Sequence, residues 1–201
     1  EQAGNIARNA WLSLGKDYTA GGTTFDNQCG SAQTTNHAIE AMVQTGRIDI
    51  GIGCGVEAMS RVGLGQNVYN GPGYYQPPNW PWDTAPDQFT MVERIAKNRG
   101  LTRQMVDEFA LSSQQKAKVA WDEGRFDSQI CPVDAPCFAD DGSPTDETKT
   151  VSRDQGLRDT TIEGLSQLKP ILEGGIHTAG NASQISDGSA AVLWTSAEEA
   201  R

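Results

Sequence analysis

The chain has 201 residues, of which 37% are hydrophobic, so it is globular rather than disordered and long enough to bury a substantial core in one domain or a domain and a half. Sixteen Lys and Arg against 26 Asp and Glu give a net charge of -10 and a pI near 4.6, which excludes a nucleic-acid-binding surface built on clustered basic residues. Four irregularly spaced cysteines, no leader-like opening and no apolar run near the roughly 20 residues of a bilayer span predict a soluble protein of a reducing, cytoplasmic compartment.

Ile6, Ala7, Ala10, Trp11 and Leu14 fall at helical spacing over residues 4–14, and Gly15 stands where a helix-ending glycine is expected. A short β-prone run, Gly22 to Phe25, then leads through the polar turn Asp26-Asn27-Gln28 into Cys29. A helix is predicted from Gly30 to Thr45, with Ala32, Ile39, Met42 and Val43 on its apolar side and Gly46 at its end. Cys29 thereby falls at the first turn of a helix, where unpaired backbone N–H groups and the positive end of the macrodipole favour a thiolate. Local features leave two readings: a nucleophile, or the small buried apolar side chain that a lone cysteine more commonly is. His37 lies eight residues along this helix, about 12 Å away by helical rise, and reads as packing or surface.

Ile48, Ile50, Ile52, Cys54 and Val56 alternate with Asp49, Gly51, Gly53 and Gly55, the clearest strand pattern in the chain. One face is bulky and the other nearly bare. Three glycines on one face predict a very close neighbour there, and the helix begun at Cys29, folded back in a β-α-β unit, is the expected one. Cys54 belongs to the bulky face and is predicted to be core. From Val62 to Pro86 the periodicity vanishes, and prolines accompany Tyr69, Tyr74, Tyr75, Trp80 and Trp82. Loops of this length are usually functional or interfacial, and these aromatics either pin the loop to the body or line an acyl pocket.

Helices are predicted over Asp87–Arg99, closed by Gly100, and from Thr102 as N-cap to Glu123, closed by Gly124. Met105, Phe109, Ala117, Ala120 and Trp121 make the expected packing side of the second. Residues 130–135 and 148–152 read as strands around the acidic turn Asp140-Asp141-Gly142-Ser143-Pro144, a surface hairpin. Cys131 and Cys137 are the only close cysteine pair and have no histidine nearby, so no metal site is expected. A helix from Thr160 to Leu168 stops before Pro170. A small, polar stretch from Gly174 to Gln184 precedes a predicted buried strand, Ser189 to Trp194. Ser196-Ala197-Glu198-Glu199 has capping-box spacing, and only two residues follow it. So short a helix is not a stable terminus, and the sequence is expected to be a piece of a longer one.

Four ordered stretches carry a family resemblance. Asp26-Asn27-Gln28-Cys29-Gly30-Ser31-Ala32 is similar to an Asn-x-Gln-Cys-Ser-Ser-Gly turn, and Gly53-Cys54-Gly55-Val56-Glu57-Ala58-Met59-Ser60 to a glycine-rich strand ending in Gly-x-Glu-x-Met-Ser. Ser113-Gln114-Gln115-Lys116-Ala117 with Gly124-Arg125-Phe126, and Thr178-Ala179-Gly180-Asn181-Ala182-Ser183, match a middle region and a Thr-Ala-Gly-Asn-Ala-Ser motif. Over nearly its whole length the chain resembles the thiolases, the acyl-CoA C-acyltransferases. The resemblance implies an α/β fold: a partial, mixed-sheet layered core with an inserted α+β loop domain. Residues 1–60 would be part of the N-terminal domain, 61–185 the inserted loop domain, and 186–201 the return into the core.

The implied reaction is ping-pong acyl transfer, with Cys29 as the acylated nucleophile and its own backbone N–H contributing to an oxyanion site. Coenzyme A is implied as substrate and product rather than as a resident cofactor, with Ala179 and Ser183 contacting it by direct motif match. Arg158 is a further contact, although many relatives carry this arginine one position earlier, where this chain has Leu157. The full-length protein would be a homodimer or homotetramer, with no nucleic-acid partner. The Cys-Gly-Ser-Ala turn, and the absence of Met-Gly near Asp87-Gln88-Phe89, resemble a degradative branch acting on larger acyl or steroid side-chain CoAs. The family's Asn-Glu-Ala-Phe, Gly-His-Pro and Cys-x-Gly motifs do not occur in these 201 residues, so this stretch is expected to be inactive alone. His177, before the Thr-Ala-Gly run, reads as ordinary loop polarity rather than as a replacement base. The competing readings are a condensing or carrier-type relative, and a non-catalytic CoA-binding or dimerisation module.

Overall fold

The computed structural model describes residues 4–66, 79–83, 87–139 and 141–201, and the chain divides into two units, Glu1–Trp80 with Ile185–Arg201, and Pro81–Gln184. Tyr69, Tyr74 and Tyr75 of the long loop and Asp140 of the acidic turn lie outside the described residues. No described helix is long and apolar enough to cross a membrane, and no group of described His, Cys, Asp and Glu side chains is arranged to hold a metal ion.

In the first unit, α1 (Ile6–Ser13) starts at Asn5, whose side chain accepts a hydrogen bond from the Arg8 N–H at 3.1 Å. Gly15, at φ 68°, turns the chain out of it. The run Gly22 to Phe25 is not a strand, against expectation. It is held by the start of α1 instead: Asn5 Nδ2 donates to Gly22 O at 2.8 Å and Thr24 Oγ1 to Gly4 O at 3.4 Å. A 3-10 turn, Gln28–Gly30, then leads directly into α2 (Ser31–Gln44), which Gly46 ends at φ 66°.

Strand β1 (Ile50–Glu57) pairs antiparallel with the last strand, β4 (Gly188–Thr195), in unbroken register from Ile50 opposite Thr195 to Glu57 opposite Gly188. The predicted close approach of α2 to the glycine face is present. A β-carbon on Gly51 would lie 2.6 Å from Ile39 Cγ2, one on Gly53 2.7 Å from Asn36 Oδ1, and one on Gly55 3.2 Å from Ala32 Cβ. Ala32, Asn36 and Ile39 form one helical stripe, so the bare face of the strand and this stripe are complementary. Trp194, opposite Gly51 in the register, donates its Nε1–H to Asn36 Oδ1 at 2.6 Å and closes the same layer.

The bulky face departs from expectation. Ile50, Ile52, Val56 and Leu193 remain 57%, 44%, 45% and 66% exposed, so Cys54 is half-buried rather than core and β4 is largely exposed rather than buried. The alternation assigns side chains to faces correctly. What fails is only the expectation that bulk implies burial: α2 takes the glycine side, as expected, and the bulky side chains opposite it stay exposed.

The second unit contains α3 (Gln88–Arg99), α4 (Arg103–Asp122), a hairpin of β2 (Val133–Phe138) and β3 (Pro144–Val151), and the short α5 (Ile162–Ser166). Asp87, Thr102 and Thr161 cap the three helices through the N–H groups of Thr90, Met105 and Gly164, and Gly100 and Gly124 leave α3 and α4 at φ 64° and 67°. The expected packing side of α4 is wrong at its start, because Met105 and Phe109 are 50% and 79% exposed. The inward stripe is instead Arg103, Asp107, Ala110, Gln114, Ala117 and Trp121, polar over its first turns. Asp107 and Thr178 are buried together with Ala96 and Leu165.

Candidate active site

The turn before Cys29 is assembled from local polar contacts. The Asp26 carboxylate accepts the Gln28 N–H at 3.1 Å, the Asn27 N–H donates to Ser31 Oγ at 2.9 Å, and Ser31 Oγ in turn donates to Gln28 O at 2.6 Å. Asn27 Nδ2 donates to Thr34 Oγ1 at 3.2 Å, while Thr34 Oγ1 donates to Gly30 O at 3.0 Å. Together these hold Gln28 at φ 49°, the one described non-glycine residue in the left-handed region. Such a conformation costs an L residue about 1–2 kcal/mol and persists only where its surroundings enforce it. The consequence is a sharp reversal that leaves Cys29 exposed on the 3-10 turn that opens α2. Gly30 is part of the same arrangement, since a β-carbon there would lie 3.0 Å from Asn27 Nδ2.

The end of one sequence motif is fastened to the foot of β4 in this unit. The Ser60 N–H and Oγ–H both donate to the Asp187 carboxylate, at 2.8 and 2.5 Å, tying the end of the Met59-Ser60 motif to the residue before β4. The Ser60 hydroxyl, chief among these contacts, holds the Asp187 carboxyl below its ordinary range. His37 is exposed on α2, its ring Nε2 within 2.8 Å of Gln33 Nε2.

Ala179, Ser183 and Arg158 lie in the second unit, all exposed. The loop carrying the first two is held from two helices. Glu93 on α3 accepts the Ile176 and His177 N–H groups with one carboxylate oxygen, at 2.9 and 3.0 Å, and the His177 ring Nδ1 lies 2.9 Å from the same oxygen. His177 is thus a structural partner of Glu93. From α4, Asp107 accepts Arg103 Nε–H at 2.7 Å and Asn181 Nδ2–H at 2.7 Å, and Asn181 Oδ1 accepts the Thr178 N–H at 2.8 Å. Arg103 also donates to the carbonyls of Leu165 and Leu168, at the end of α5. Gly180 fits because a β-carbon there would lie 2.5 Å from Leu168 Cδ1.

The structure also draws Arg158 toward the end of that loop. Gln114 Oε1 accepts the Arg158 N–H at 3.1 Å, its Nε2 donates to Gly156 O at 3.3 Å, and Gln184, next to Ser183, donates to the same carbonyl at 3.0 Å. Glu93, Arg103, Asp107, Gln114 and Gln184 were not candidates in the sequence. For Arg103, Asp107 and Gln114 the signal is a spacing of four, then seven, along α4 that repeats polar residues on one helical side; Glu93 and Gln184 carry no comparable pattern.

Glu93 yields a pH prediction. Burial raises its pKa, but the hydrogen bonds from the His177 and Ile176 backbone and from the His177 ring outweigh it and hold the value below the ordinary 4.5. A depressed carboxyl contributes stability above its unfolded-state value and loses it as pH falls through the folded value. The thermal midpoint of the parent is therefore expected to exceed that of Glu93→Gln by a constant amount near neutrality, and the gap to close below pH 4.5. A gap that did not change on acidification would contradict this assignment.

The family model for the thiolase N-terminal domain matches residues 1–198. The mouse peroxisomal 3-ketoacyl-CoA thiolase A is 40% identical over 194 residues, covering 94% of this chain and 44% of that protein. The steroid 3-ketoacyl-CoA thiolase FadA6 of Mycobacterium tuberculosis is 33% identical over 204 residues, covering 97% and 47%. Among solved structures, the dimeric peroxisomal thiolase of Saccharomyces cerevisiae superposes with a TM-score of 0.67 at 32% identity, covering 94% of this chain and 47% of that one. The fold is α/β and thiolase-like, and the chain spans about half the length of the relatives it matches.

Proposed function

Because this chain belongs to the thiolase family, we propose that it forms part of an acyl-CoA C-acyltransferase that works through an acyl-Cys29 intermediate. The observation that supports this most is the enforced turn at Gln28, which leaves an exposed cysteine at the start of a helix packed firmly on the glycine face of β1. In thiolysis the Cys29 sulfur attacks the 3-keto carbonyl of a 3-ketoacyl-CoA. The acyl–sulfur bond forms, the bond between the α and β carbons breaks, and acetyl-CoA leaves once its α carbon takes up a proton. A second coenzyme A thiolate then attacks the acyl-cysteine, releasing the shortened acyl-CoA and free Cys29. Condensation is the reverse. The Cys29 backbone N–H, at the helix start, is suited to contribute to the oxyanion site.

Coenzyme A enters as substrate and product, with no resident cofactor, contacted by Ala179, Ser183 and Arg158. Residues 61–185 serve as the inserted loop domain, and residues 1–60 with 186–201 as part of the N-terminal core. The base and second cysteine come from outside these 201 residues, so this stretch alone does not turn over. A degradative role on larger or steroid acyl-CoAs is supported by the name of the mycobacterial relative, and a dimer by that of the yeast structure. The compartment is proposed to be reducing and cytoplasmic; the mouse and yeast relatives are named as peroxisomal.

The test is thiolysis of acetoacetyl-CoA. The full-length protein is expected to cleave it in strict dependence on added coenzyme A, and the 201-residue chain, shown to be folded by circular dichroism, is expected not to. Binding of coenzyme A by the full-length protein without cleavage would favour a non-catalytic module.

A further inference from the structure

Asp107 is a buried carboxylate with no part in the acyl-transfer steps. At 3% exposure, an acidic residue needs partners for both oxygens, and it has them: Arg103 Nε at 2.7 Å on one and Asn181 Nδ2 at 2.7 Å on the other. The second partner is the informative one. Orienting the Asn181 amide so that its Nδ2 donates to Asp107 turns its Oδ1 toward the Thr178 N–H, which it meets at 2.8 Å. Thr178 is fully buried, and its Oγ1 accepts the Gly180 N–H at 3.2 Å. Ala179 and Ser183, both exposed, lie within two residues of groups fixed in this way.

We infer that Asp107 is a positioning residue for coenzyme A: through Asn181 it fixes the Thr178–Ser183 loop in the conformation that receives the coenzyme A portion of the substrate. The inference rests on the reading of Ala179 and Ser183 as coenzyme A contacts. A preformed loop binds without a further ordering cost, whereas a loop released from Asp107 must be ordered by the ligand itself. Asp107→Asn keeps the shape of the side chain but offers one oxygen acceptor to two donors, so either Arg103 or Asn181 loses its partner.

The experiment measures the rate of Cys29 acylation in the full-length protein against two donors. Acetyl-CoA carries the nucleotide and the whole pantetheine arm; S-acetyl-N-acetylcysteamine carries the same thioester without them. For Asp107→Asn the half-saturating acetyl-CoA concentration is expected to rise about tenfold, with the limiting rate within about threefold of the parent. The rate with the short thioester is expected to be unchanged. Asn181→Ser, which leaves the Arg103–Asp107 ion pair intact, is expected to show the same split and carries the test if Asp107→Asn does not fold. Equal loss with both donors would mean a purely structural role, and no loss with either would mean no role; each overturns the inference. Failure of the unaltered protein to be acylated by either donor would instead overturn the reading of Cys29.

Discussion

Cys29→Ser is expected to abolish acyl transfer in the full-length protein, lowering thiolysis by at least about 10³-fold while leaving stability within about 0.5 kcal/mol of the parent. The two halves of this expectation have separate physical causes. A serine hydroxyl at neutral pH is a far weaker nucleophile than a cysteine thiolate, and the residue replaced is the one that forms the covalent bond. The turn itself does not depend on sulfur. It is held by Asp26, Asn27, Ser31 and Thr34 through contacts of 2.6 to 3.2 Å, and Cys29 is exposed. Loss of activity together with a large loss of stability would mean that the cysteine is a packing residue. Retained activity would remove it from the mechanism altogether.

Gly53→Val is expected to destabilise the protein by about 2–4 kcal/mol, read as a fall in the urea midpoint with no change in slope. A β-carbon at residue 53 would sit 2.7 Å from Asn36 Oδ1, the oxygen that accepts the Trp194 Nε1–H. Accommodating valine therefore requires either moving α2 away from β1 or breaking that hydrogen bond, and both loosen the layer on which the Cys29 turn is built. The control is Gly188→Ala in the paired strand, where a β-carbon meets nothing within 4 Å and the expected change is under about 0.5 kcal/mol. Similar losses from both substitutions would show that the strand, rather than the α2 contact, is what glycine serves.

Much of the first unit's layer was legible in the residues. The bare face of Gly51, Gly53 and Gly55 has a close neighbour, and that neighbour is the helix after Cys29, because only small groups allow a helix to approach a strand at this distance. Helix ends at Gly15, Gly46, Gly100 and Gly124 were readable for an equally local reason, each at positive φ. What resists reading is set by distant partners. Gly22 to Phe25 has β-prone residues but is held by Asn5, which no local pattern reveals. The inward side of α4 was misread because hydrophobic periodicity weighs Met105 and Phe109 above Arg103 and Asp107, while the structure buries Asp107, whose carboxylate is satisfied by Arg103 and by Asn181, 74 residues further on. Cys29 itself was singled out from its position before a helix. The left-handed Gln28 that turns it outward is a backbone fact carried by side-chain contacts from Asp26 to Thr34.

The most direct measurement is peptide mapping by mass spectrometry after brief incubation of the full-length protein with acetyl-CoA. One added acetyl group is expected, located on the peptide containing Cys29, discharged on addition of free coenzyme A and missing from Cys29→Ser. Coenzyme A-dependent turnover with the acetyl group on another residue, or with no acylated peptide at all, would contradict it.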